Sequence, residues 1–105
     1  MALREQDEVQ SINLIVTNPK IRRGRPHIAG TTVTVSDVAI AHIYHHQDAD
    51  GIASWYALSL PQVYAALSYY YDHKAEIDGQ IRDQIQRAEA LANKNVGSEG
   101  SLLSR

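Results

Sequence analysis

Cysteine is absent from the chain, which rules out disulfides, thiolate metal sites and cysteine nucleophiles at once. Phenylalanine is absent too. The ring inventory is six Tyr and one Trp, so nearly every large aromatic surface carries a polar tip that needs water or a partner when buried. No apolar run approaches the roughly 18 residues of a membrane span. The first ten residues carry Glu5, Asp7 and Glu8 where a secretion signal would need an apolar run, so a cytoplasmic location is the expectation. What is present fits a globular protein: 44 % apolar and 21 % charged residues over 105 positions, enough for one compact core and not for two.

Acid is missing from one stretch. Residues 17–36 hold Lys20, Arg22, Arg23 and Arg25 against no Asp or Glu, a local charge of +4. Residues 1–16 set Arg4 against Glu5, Asp7 and Glu8, giving −2, and residues 37–105 set five Lys/Arg against nine Asp/Glu, giving −4. The overall −2 thus conceals a concentrated basic segment, which either grips phosphates or is simply a solvated loop.

The organisation reads as mainly α with a small N-terminal β-hairpin. Ile12 to Val16 is β-branched and stops at Thr17-Asn18-Pro19, and Ile28 and Thr31 to Val33 are the other β-prone positions among Gly24, Pro26 and Gly30. Thr34 to Asp37 fits a capping box opening a helix over about 35–46, with Val38, Ala39, His42, Ile43 and His46 inward. Asp48 caps a second helix near 49–56, with Ile52, Ala53 and Tyr56 inward. Ala57-Leu58-Ser59 is a turn, and Ser59 to Gln62 a second capping box with proline in its first turn. The third helix, with Leu60, Val63, Ala66, Leu67, Tyr70 and Lys74 on one side, runs to about Ile77, with Gly79 as hinge or stop. Beyond it, Ile81, Ile85, Ala88 and Leu91 form a narrow stripe on a polar helix that carries the (i, i+4) pairs Asp78–Arg82 and Asp83–Arg87. The expected division is a single domain over 12–78, an amphipathic helix over 79–92 and a flexible tail over 93–105.

A short helix, a three-residue turn and a longer helix form helix-turn-helix geometry. Used on DNA, the helix from Leu60 would present Gln62, Ala65, Ser68 and Tyr69 to the major groove. Gln62 would then pair with adenine and Ala65 touch a thymine methyl. That helix has no Arg or Lys before Lys74, and plain packing hairpins share the geometry. The basic segment supplies the charge the helix lacks: Lys20, Arg22, Arg23 and Arg25 would hold phosphates or reach a minor groove as an arm. A dimer engaging all eight such cations would show a salt slope of about −7.

His42, His45 and His46, near Asp48 and Asp50, have the spacing of a metal pair but no third ligand on a second element, so packed or half-exposed histidines are the expectation and no cofactor is assigned. His73 beside Asp72 reads as a surface residue. Ser36, Ser54, Ser59 and Ser68 read as capping or surface serines, and the segment Gly24 to Gly30 lacks phosphate-loop spacing. Nothing points to an enzyme.

Over about residues 14–78 the chain resembles the family catalogued as domain of unknown function 433. The resemblance rests on Asn18-Pro19, on Gly24-Arg25-Pro26-His27-Ile28-Ala29-Gly30-Thr31, on Ile52 to Tyr56, on Leu58 to Val63 and on Ala65-Ala66-Leu67-Ser68-Tyr69-Tyr70. Two positions depart: Thr32 stands where members commonly have arginine, and Ala57 where they have proline. The resemblance implies a homeodomain-like helix-turn-helix. For some members it also implies a dimeric antitoxin that binds its own promoter and masks a PIN-like toxin with a C-terminal segment. The expected function is therefore a DNA-binding antitoxin or small repressor, with Ile77, Ile81, Ile85 and Leu91 burying against a partner. The alternative is a protein-interaction module that homo-oligomerises without touching nucleic acid. Arginines of the basic segment folded back onto Asp or Glu would favour it.

Overall fold

A computed structural model describes the backbone of residues 2–103 and the side chains of residues 2–94. The fold is mainly α with a small N-terminal two-stranded antiparallel sheet: β1 (Ile15–Val16), β2 (His27–Ile28), α1 (Val35–Ile43), α2 (Ala49–Tyr56), α3 (Leu60–Asp72) and α4 (Lys74–Leu103). Ile15 pairs with Ile28 and Val16 with His27. The strand expected to start at Ile12 is shorter, and Thr31 to Val33 form no strand. Instead Thr31 folds its hydroxyl back onto the Ile28 carbonyl at 2.8 Å and turns the chain into α1.

Both capping boxes are formed. The Thr34 hydroxyl accepts from the Asp37 amide while the Asp37 carboxylate accepts from the Thr34 amide, and Ser59 and Gln62 do the same for α3. Asp48 caps α2 through the Gly51 amide at 2.8 Å. Ala57 ends α2 in the left-handed region at φ 55°, a conformation closed to proline, whose ring holds φ near −65°. The chain at this turn is therefore shaped around its own residue and could not carry the proline that the resemblance leads one to expect.

α1 sits centrally and packs against the other three helices. The core joins Val35, Val38 and Ala39 of α1, Ile52 of α2, Leu58 of the turn, Val63, Ala66 and Tyr70 of α3, and Ile77 and Ile81 of α4, with Ile28 closing one side. Burying one such aliphatic side chain is worth roughly 1.5–3 kcal/mol. α1 stops at Ile43, short of the expected 46. His42 turns Nδ1 to the Gln47 carbonyl at 3.1 Å and His46 takes φ 55°, so the expected inward stripe ends before His46, which is exposed.

The largest departure lies at the end of α3. The helix ends at Asp72, five residues before the expected end, with the break at His73 (φ −121°, ψ 40°), and Gly79 lies inside α4. The break is stabilised locally. The His73 amide donates to the Tyr69 carbonyl at 2.9 Å, Nδ1 lies 3.2 Å from the same oxygen, and the two rings stack 3.9 Å apart. His73 is thus half-buried and close to Asp72 (3.4 Å) rather than free on the surface. Across the break, the Tyr70 hydroxyl donates to Asp78 at 2.7 Å and Lys74 reaches the same carboxylate at 2.7 Å, displacing the expected Asp78–Arg82 pair.

α4 therefore begins inside the domain rather than after it. Ile77 and Ile81, expected to meet a partner, are fully buried in the chain's own core. A stripe too narrow to fold alone found its cover on α1 and α3. Ile85 is half-buried, and Leu91 is 60 % exposed. The backbone stays helical through residues 93–103, where a loose tail is expected. Ser104 and Arg105 of that tail lie outside the described residues. No described helix is long and apolar enough to cross a membrane.

Candidate nucleic-acid interface

The basic segment is a tight turn, not a loose arm. Arg22, Arg23 and Gly24 take φ 45°, 62° and 74° in succession, a left-handed run closed by the Gly24 amide on the Ile21 carbonyl (2.9 Å) and the Arg25 amide on the Arg22 carbonyl (3.2 Å). Each non-glycine residue in that region costs about 1–2 kcal/mol. Gly24 occupies it without a Cβ to strain.

Two of the four cations are committed inside the protein. Arg22 forms a fork on Asp37 at 2.8 and 3.3 Å and also donates to the Thr32 carbonyl at 3.0 Å. Arg25 meets Asp83 of α4 at 2.5 Å with only 15 % of its side chain exposed. Lys20 and Arg23 are exposed and have no acidic partner among the described residues. Arg22 and Arg25, expected as uncommitted cations, are therefore each paired with an acid. The nearest acids in space are supplied by α1 and α4, far along the sequence.

Asp37 is the hub. Burial pushes its carboxyl up, but the Arg22 guanidinium, the Thr34 amide and Gln84 (3.2 Å) together hold it below the usual carboxylate range. Gln84 is fixed in turn by the Ser36 hydroxyl at 3.2 Å. Asp83 is shared, since Arg87 reaches it from one turn along at 3.0 Å. Arg22, Arg23, Arg25, Gln84 and Arg87 thereby surround a hollow of about 300 Å³. Asp37, Gln84 and Arg87 escaped the sequence reading as site residues. The Asp83–Arg87 pair was visible as helix spacing, but nothing local announces an Arg25–Asp83 contact.

The outward side of α3 forms a different surface. Pro61, Tyr64, Ala65, Ser68 and Tyr69 line a groove of about 630 Å³ whose far wall is Ile12, Asn13 and Ile15. Ser68 is exposed there, as expected. Gln62 is not a free reader: its amide oxygen accepts from the Ser59 amide at 2.8 Å and from the Ser59 hydroxyl at 3.2 Å. Tyr69 is half-buried by its stack on His73. No residue lines both the groove and the arginine hollow. His45 and His46 are exposed, and among the described residues no three His or carboxylate groups gather as metal ligands.

The stretch from β1 through α3 holds the hairpin, the left-handed turn and three of the four helices. A family model described as "Protein of unknown function (DUF433)" matches residues 15–70, from the first residue of β1 to Tyr70. The chain belongs to that family. Neither a curated protein nor a solved structure matches it significantly. The DUF433 segment contains the whole basic turn and the outward side of α3. It ends before α4, so Asp83, Gln84 and Arg87 lie outside it.

Proposed function

We propose that the chain is a DNA-binding antitoxin or small transcriptional repressor acting in the cytoplasm. Support comes from α2, the three-residue turn and α3, an arrangement suited to placing α3 in a major groove. The observation that carries the reading is that the outward side of α3 around Ser68 stays open while Lys20 and Arg23 remain uncommitted. Ser68 would face base edges and the two cations would hold phosphates. The resemblance extends the reading to a homodimer on its own promoter and to a PIN-like toxin. The exposed distal part of α4 around Leu91 is the surface available for such a partner.

Gel shifts with promoter-proximal duplex DNA test this. Retarded complexes at low salt, weakened by Lys20→Ala with Arg23→Ala, support it; no retardation at low salt removes it. Co-purification with the product of a neighbouring nuclease-like gene tests the toxin half separately.

A second reading has its own observation. Arg22 and Arg25 fold back onto Asp37 and Asp83, as expected of a protein-interaction module that self-associates without nucleic acid. It requires an oligomer in sedimentation together with the absence of any duplex complex.

A further inference from the structure

We propose that the arginine-lined hollow between the left-handed turn and α4 binds the phosphate group of a small phosphate monoester. This goes beyond the DNA-binding reading and does not depend on it: the hollow shares no lining residue with the α3 groove, although its Arg23 is also one of the two cations assigned to duplex phosphates.

Charge balance is the first argument. Four arginines, Arg22, Arg23, Arg25 and Arg87, line the hollow, while two carboxylates, Asp37 and Asp83, are paired with three of them. The cluster keeps two positive charges in excess. A phosphate monoester near neutral pH carries close to two negative charges, whereas each diester of a duplex backbone carries one.

Donor geometry is the second. Arg25 spends one terminal nitrogen on Asp83, and Arg87 spends its Nε there. The other nitrogens of both guanidiniums, and all of Arg23, have no partner among the described residues. Planar forked donors supplied by a turn and a helix suit a tetrahedral oxyanion, which accepts from several directions. Arg25 is also largely withdrawn from water with a single, partly exposed carboxylate for company. A bound dianion would complete its solvation.

Third, the walls are already rigid. Gln84 is pinned from both ends of its amide by Ser36 and Asp37, and Arg22 is clamped on Asp37 and Thr32. Two successive arginines are held in the left-handed region by turn hydrogen bonds, and strain of that kind gathers at ligand clamps. A volume of about 300 Å³ admits a phosphate with a small organic substituent.

The test is calorimetric titration of the full chain with inorganic phosphate and with glycerol 3-phosphate, in KCl at constant ionic strength. Saturable one-to-one binding of both is expected, weakened at least tenfold by Arg23→Gln and by Arg87→Gln. Melting temperature should rise by roughly 5–10 °C at ten times the dissociation constant. Arg23 has no ion pair to lose, so R23Q should melt with the parent in phosphate-free KCl. A short duplex titrated into phosphate-saturated protein should lose no more affinity than Arg23→Gln alone costs it, because Arg23 serves both sites. The proposal is overturned by no saturable heat at tens of millimolar, by binding that both variants retain, or by binding of inorganic phosphate alone. Loss of duplex binding by Arg87→Gln in the absence of phosphate would also overturn it and reassign the hollow to nucleic-acid backbone. Failure to bind any duplex would count against the DNA reading and leave this measurement intact.

Discussion

Asp37 shows how much one side chain can carry. It closes the α1 capping box, receives the Arg22 fork and accepts from Gln84, joining a turn, a helix start and α4 through one carboxylate. Its folded pKa lies below the ordinary value. Its stabilisation is therefore present above the unfolded carboxylate pKa of about 3.9 and is lost as pH falls below it. Asp37→Asn should cost about 1–2 kcal/mol at pH 7, measured by urea unfolding. The gap between variant and parent should narrow as pH falls below about 3.9. Asp78 follows the same sign, held low by hydrogen bonds from Lys74 and Tyr70, and adds to the acid sensitivity of the parent. Tyr70→Phe removes the buried hydroxyl's bond to Asp78 and should cost about 1 kcal/mol by the same measurement.

At the scale of elements, the turn between α2 and α3 makes a sharp prediction. Ala57 at φ 55° lacks the freedom of glycine, so Ala57→Gly should stabilise by about 1 kcal/mol, and Ala57→Pro should cost about 3 kcal/mol or more, both read from thermal melts. α4 makes another. Ile81→Ala should cost about 2–5 kcal/mol because it opens a cavity in the core, whereas Leu91→Ala should stay within about 0.5 kcal/mol. The contrast between these isoleucines and Leu91 also marks what the sequence could disclose. The caps at Thr34, Asp48 and Ser59 were legible because a side chain answers an amide three residues away, and so were the inward residues of α2 and those of α3 from Val63 to Tyr70, whereas Leu60 and Lys74, expected on the same side, are exposed. The stop at His73 was not, since it has neither glycine nor proline and depends on a ring stacked over Tyr69. The partner of a stripe is equally hidden: Ile77 and Ile81 have the same spacing whether they bury at home or abroad. The basic segment was legible as charge. Its commitment to Asp37 and Asp83 was not, because those acids lie 15 and 58 residues downstream.

For the whole molecule, the bound arginines change the expected electrostatics of any duplex complex. With Arg22 and Arg25 neutralised internally, a dimer offers four uncommitted cations from its two turns rather than eight. The salt slope should lie near −4 and not −7, measured as duplex affinity between 50 and 200 mM salt. The family segment closes at Tyr70, yet Ile77 and Ile81 complete the core and α4 supplies one wall of the hollow. A gene trimmed at that border would not yield a smaller working copy: its product would expose an oily seam along α1, fall prey to aggregation and present Arg25 without Asp83. For this chain α4 is a structural necessity, because Ile77 and Ile81 are what keep that seam dry.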